Sequence, residues 1–153
     1  QVLDRLAVGE GDQAYSQAAS GGDLLFLEAC VERKVRCQVM LPCDESEFVQ
    51  TSMLPSINGA QWRERWQALK PGLGYVPRIM PTELGQTPKG ANRYERCNRW
   101  LLNSAVACGP DKLRFIGLWN GAEGDGPGGS GHLMKEAQKR TAEWTWIDTR
   151  TLG

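Results

Sequence analysis

The sequence predicts an α/β fold: a mainly parallel sheet with helices on both of its faces. Two observations carry this prediction. Short apolar runs alternate with segments of helical periodicity, in the order expected of repeated strand–helix units. The strongest run, Leu113-Arg114-Phe115-Ile116-Gly117-Leu118-Trp119, is apolar almost throughout, as the interior of a parallel sheet requires.

The opening Gln1-Val2-Leu3-Asp4-Arg5-Leu6 has helical apolar spacing with no capping residue before it, so it reads as the end of a helix begun upstream and the chain as an excised piece. Gly9 and Gly11 close that segment, and 12–18 has weak strand character. The turn Ala19-Ser20-Gly21-Gly22-Asp23 leads into a helix over 24–32, with Leu24, Leu25, Leu27 and Val31 as its expected buried stripe. Residues 35–41 form a clear strand that Pro42 stops. Asp44 starts a short acidic helix through Met53, and 61–69 carries a second helix with Trp62, Trp66 and Leu69 at helical spacing. Residues 75–80 read as extended, confined to a sheet edge by Pro77. A long helix covers 92–108 and ends at Gly109-Pro110. After the strand at 113–119 come a glycine-dense loop, a helix over 130–140 and a last strand, Trp144-Thr145-Trp146-Ile147.

The 153 residues predict one domain over 1–153, without internal repeat or linker. The charge is balanced, 18 Lys+Arg against 18 Asp+Glu, which argues against a nucleic-acid groove and an anionic-membrane surface. No apolar run approaches the roughly 20 residues of a bilayer span. Five cysteines without CxxC spacing, beside a single histidine, point to reduced thiols in a cytoplasmic protein and to no metal site.

In open parallel sheets a ligand lies outside the carboxyl ends of the strands, which directs attention to 16–23, 42–47 and 120–130. Gly124-Asp125-Gly126-Pro127-Gly128-Gly129-Ser130-Gly131 joins the best strand to a helix; its glycines let backbone N–H groups approach an anion, and the helix start adds its positive end. Gly126, Gly128, Gly129 and Ser130 are the binding candidates, against the alternative of a loop with no ligand. No Gly-Lys-Ser/Thr closes the loop, so it is not a Walker A motif. Ser20, Gly21, Gly22 and Asp23 form a second turn of this kind, although helix capping alone accounts for Asp23. Glu28 follows, facing either solvent or the cleft. Asn92, Tyr94, Glu95 and Asn98 cluster at the start of the long helix at spacings of three and four, suited to ribose hydroxyls or a base edge, or to a solvated first turn. His132 reads as a surface or supporting residue, and Trp119 draws attention because it ends the strand that feeds the loop.

Together these blocks resemble the SLOG domains of bacterial signalling and conflict proteins. The resemblance rests on Gly21-Gly22-Asp23-Leu24-Leu25-Phe26-x-Glu28-Ala29, Leu41-Pro42, Glu47-Phe48-x-x-x-Ser52, Asn92-x-Tyr94-Glu95-Arg96-x-Asn98-x-Trp100-Leu101-Leu102, Trp119-Asn120-Gly121 and Gly124-Asp125-Gly126-Pro127-Gly128-Gly129. It spans almost the whole chain in order. It implies a Rossmann-like fold akin to the Lonely Guy phosphoribohydrolases and the DNA-processing protein A family, with the first strand of that fold missing from this chain. Pro127-Gly128-Gly129 is similar to the phosphate-binding turn of the Lonely Guy enzymes. Two departures stand out. Gln17-Ala18-Ala19 occupies a position where the family has glycines, and Ser130-Gly131-His132-Leu133-Met134-Lys135-Glu136 does not reproduce the Lonely Guy catalytic pattern.

The resemblance implies a sensor domain that binds a nucleotide or nucleotide-derived small molecule and signals to other domains of the same polypeptide. No cofactor is expected, the balanced charge and the lack of an apolar span argue against nucleic-acid and membrane partners, and homo-oligomerisation is left open. A nucleotide N-glycosidase using Asp23, Glu28 or Glu95 is the alternative, and a degenerate structural or oligomerisation domain the second.

Overall fold

A computed structural model describes residues 1–122 and 126–152; Glu123, Gly124 and Asp125, which include the opening of the predicted glycine loop, and Gly153 lie outside the described residues. The fold is mixed α/β, and among the described residues every strand pair is parallel. The chain divides into two compact units, Gln1–Gly85 and Gln86–Gly153.

In the first unit, β1 (Gln13–Ser16), β2 (Arg36–Leu41) and β3 (Arg78–Ile79) form one sheet in that order. The register runs from Gln13 opposite Arg36 to Ser16 opposite Val39, then Met40 opposite Arg78 and Leu41 opposite Ile79. β2 is the middle strand, as the sequence predicts, and Cys37, Val39, Met40 and Leu41 are buried along it. A short α1 (Val2–Arg5) opens the chain, and α2 (Gly22–Glu32) connects β1 to β2. The buried stripe of α2 is Leu24, Leu27 and Cys30, three apart; Leu25 is 46% exposed, so its expected place in the core is corrected. Leu25 falls about 100° around the helix from Leu24, off the buried face.

The acidic segment forms α3 (Glu45–Phe48) and runs on into one π-helical turn, Val49–Met53. α4 (Gly59–Leu69) buries Trp66 and Leu69. It starts tight against the preceding turn: a Cβ on Gly59 would lie 2.2 Å from the Leu54 carbonyl oxygen. β3 takes the edge position that Pro77 foretells, and α5 (Met80–Leu84) follows it directly.

The second unit contains α6 (Arg93–Val106), β4 (Phe115–Trp119), α7 (Ser130–Gln138) and β5 (Trp144–Asp148). β4 and β5 pair in parallel from Phe115 opposite Trp144 to Trp119 opposite Asp148, with α7 as their crossover. The expectation of 113–119 as an interior strand is corrected. Among the described residues β4 pairs with β5 alone, and it is half-buried along its whole length. An apolar run reports how many layers cover a strand, and does not say how many strands flank it.

All five cysteines are free thiols; Cys30, Cys37, Cys43 and Cys97 are buried and Cys108 is exposed. Among the described residues no helix is long and apolar enough to cross a membrane.

Candidate functional site

In the first unit, β1 ends at Ser16 and the chain turns through Ser20-Gly21-Gly22-Asp23 into α2. Gly21 is the N-cap residue, at φ +92°, in the left-handed region that glycine tolerates best. No side-chain cap bond closes the start of α2 at Gly21, although Asp23 lies in its first turn, where the helix dipole favours a carboxylate. The Asp23 carboxylate reaches back instead and accepts from the Ala19 N–H at 3.2 Å, closing the turn. Burial raises its pKa to about 6, opposed by that N–H. Ser20 Oγ donates to the Met53 carbonyl at 3.4 Å, tying the turn to the π-helical segment. Glu28 is engaged elsewhere. Arg65 grips its carboxylate through two nitrogens, Nε at 2.9 Å and Nη2 at 2.5 Å, and stacks 4.5 Å from the Trp62 ring centroid.

In the second unit, the polar start of α6 and the glycine turn meet. Asn92 is the N-cap, and its Oδ1 accepts from the Tyr94 and Glu95 N–H groups at 2.9 and 3.0 Å. Tyr94 is half-buried, with the Arg93 guanidinium 5.2 Å from its ring centroid; Glu95 is half-buried, 3.9 Å from Arg99. Gly128, at φ +82°, sits on this first turn so closely that a Cβ would lie 2.4 Å from Tyr94 Cβ and 2.8 Å from the Glu95 nitrogen. Only glycine fits there.

Asn98 fastens the contact. It is 1% exposed, and its Nδ2 donates to the Gly128 carbonyl at 2.9 Å and contacts His132 Nδ1 at 3.1 Å. A carbonyl only accepts, so the Gly128 oxygen fixes which end of the Asn98 amide faces it. The other N–H of that amide points to His132 Nδ1. Nε2 lies 3.2 Å from Arg99 Nη2 and 3.8 Å from Glu136 Oε1. Glu136 is buried, and Arg140 at 2.9 Å with Lys139 at 3.0 Å hold its pKa down at about 2.

The Gly129 N–H donates to the Gly126 carbonyl at 3.2 Å, and Gly129 is the N-cap of α7. Among the described residues no side chain caps this helix, and Ser130 is its first residue and not its cap. The first N–H groups of such a helix have no partner of their own and suit an anionic oxygen. Trp119 borders the same turn: a Cβ on Gly131 would lie 3.1 Å from its ring.

Asn92, Tyr94, Glu95 and Asn98 are thus brought together with Gly128, and Trp119 with the head of α7. Ser20 to Asp23 form their own turn, while Glu28 belongs to an ion pair with Arg65. Sequence reasoning missed Trp146 and the supporting role of Glu136. The four-residue spacing of His132 and Glu136, and the alternation of Trp144 and Trp146, were the available signals. Among the described residues no group of three His, Cys, Asp or Glu could hold a metal ion.

No family model, curated protein or solved structure matches the chain.

Proposed function

We propose that the chain binds a nucleotide or nucleotide-derived ligand, with an anionic group on the Pro127-Gly128-Gly129 turn at the head of α7, and acts as a sensor for neighbouring domains. The observation that carries this reading is the seating of Gly128. A turn pressed against α6 where no Cβ fits, and fastened by a buried amide, aims an uncapped nine-residue helix start in a fixed direction. Charge supports it: residues 86–153 hold ten Lys/Arg against seven Asp/Glu, whereas 1–85 hold eight against eleven. The similarity to SLOG domains supports a nucleotide as the anion's carrier. Calorimetric titration with a nucleotide panel tests the reading. Saturable binding without turnover is expected, and Gly129→Asp should abolish it by adding negative charge to the turn. Unchanged affinity in a folded Gly129→Asp protein removes the turn from the site.

One observation favours a second reading, a nucleotide N-glycosidase. Asp23 has its pKa raised to about 6, close to where a carboxyl group exchanges protons at neutral pH. Release of free base from any nucleotide in the panel, lost in Asp23→Asn, would select this reading over the sensor.

A further inference from the structure

We propose that Trp146, with Trp144 beside it, is the stacking surface for a planar base, so that the ligand is an aromatic nucleotide and not a sugar phosphate. This rests on the reading of the α7 turn given above. In a parallel pair, residues opposite one another share a face, so Phe115, Gly117 and Trp119 of β4 lie on the same side as Trp144, Trp146 and Asp148 of β5. α7 covers this side at Gly117, where a Cβ would meet Met134 Cε at 2.6 Å. Trp146 stays 43% exposed and Trp144 44% exposed. Indoles are usually well buried, and an isolated exposed one is free to turn.

Trp146 is not free to turn. Its Nε1 donates to the Trp119 carbonyl at 2.9 Å, and Trp119 Nε1 donates to the Ala122 carbonyl at 2.9 Å. The two rings lie 6.2 Å apart at 45°. Glycines stand where side chains would push the rings aside: a Cβ on Gly121 would be 3.3 Å from the Trp146 ring, and one on Gly131 3.1 Å from that of Trp119. Both indole N–H groups are therefore spent on the main chain. What Trp146 offers to solvent is an indole ring held against Trp119, which borders the head of α7, and an aromatic surface of this kind recognises a flat ring without reading its edge.

The test titrates the full chain with AMP, GMP, CMP and UMP and with ribose 5-phosphate, following calorimetric heat and tryptophan fluorescence. At least one nucleotide should bind about 10- to 100-fold more tightly than ribose 5-phosphate and quench the fluorescence. Trp146→Leu keeps apolar volume and should lose that whole advantage while ribose 5-phosphate binds as before; Trp146→Phe should recover most of it. If Trp146→Leu fails to fold, Trp144→Ala, whose ring is exposed, should lose part of the same advantage. Nucleotide affinity unchanged in these variants overturns the stacking surface and leaves the anion turn standing. Failure of all five probes to bind the unaltered protein overturns the anion turn, and the stacking proposal with it.

Discussion

Replacing Gly128 by alanine tests the contact on which the site is built. The new methyl group would stand 2.4 Å from Tyr94 Cβ and 2.8 Å from the Glu95 nitrogen, neither of them the end of a flexible chain. The backbone at φ +82° adds its own penalty. Alanine in the left-handed region costs about 1–2 kcal/mol, and overpacking costs about 1–3 kcal/mol more. Gly126 supplies the control, because it has φ +69° and nothing within 4 Å of an added Cβ. Gly128→Ala should therefore lower the stability of the second unit by about 2–5 kcal/mol, and Gly126→Ala by only about 1–2 kcal/mol. Urea unfolding followed by tryptophan fluorescence measures both, since Trp100, Trp119, Trp144 and Trp146 all lie in 86–153. Equal losses in the two variants would mean that the turn does not rest on α6, and the argument for a fixed anion site would fail with it.

Three further outcomes follow from particular contacts. The raised pKa of Asp23 contributes stability that is fully present below pH 3.8 and is lost as pH rises through about 6, by up to about 3 kcal/mol; Asp23→Asn should flatten that part of the stability–pH curve, and a slope that survives the substitution assigns it to another group. Glu136 has the opposite sign: its lowered pKa contributes stability present above pH 4.5 and lost as pH falls towards about 2, so Glu136→Gln should lose stability at neutral pH and little near pH 2, measured by acid titration of the fluorescence. Gly59→Ala meets the Leu54 main chain at 2.2 Å and should destabilise the first unit by at least the ~1–3 kcal/mol of ordinary overpacking, read by thermal unfolding; a neutral substitution would show that α4 starts differently.

How much could be read from the sequence depended on the range of the interaction. α4, α6 and α7 are legible because their buried positions recur at helical spacing, and β2 because its apolar run ends at a proline. α5 is not, since Pro81 in its first turn looks like a breaker although a proline suits a helix start. Leu25 misleads because a run of adjacent leucines hides the phase of the helix. The glycine turn and the polar helix were each visible as compositions, and the parallel α/β class directed attention to the strand ends. What joins them was not visible. Asn98 and Gly128 are 30 residues apart, Glu28 and Arg65 are 37 apart, and nothing in either residue type says which polar atom will meet which.

That distinction changes what a substitution at Asn98 should do. As a ligand contact, Asn98 would discriminate between nucleotides, and its loss would weaken one of them selectively. As a buried fastener it acts on the turn, which meets an anionic oxygen common to every nucleotide. Asn98→Leu removes the donor that the half-buried Gly128 carbonyl and His132 Nδ1 now meet, at a cost of up to about 1–3 kcal/mol for each, less where water reaches the group. Affinity should therefore fall by a similar factor for AMP, GMP, CMP and UMP, together with a loss of stability that appears without ligand. Asn98→Asp should be more damaging than Asn98→Leu, because a carboxylate oxygen would face the Gly128 carbonyl where an N–H now stands. Parallel calorimetry and urea unfolding of the two variants decide the matter. A selective loss for one nucleotide, with stability intact, would place Asn98 against the ligand and remove it from the support of the turn.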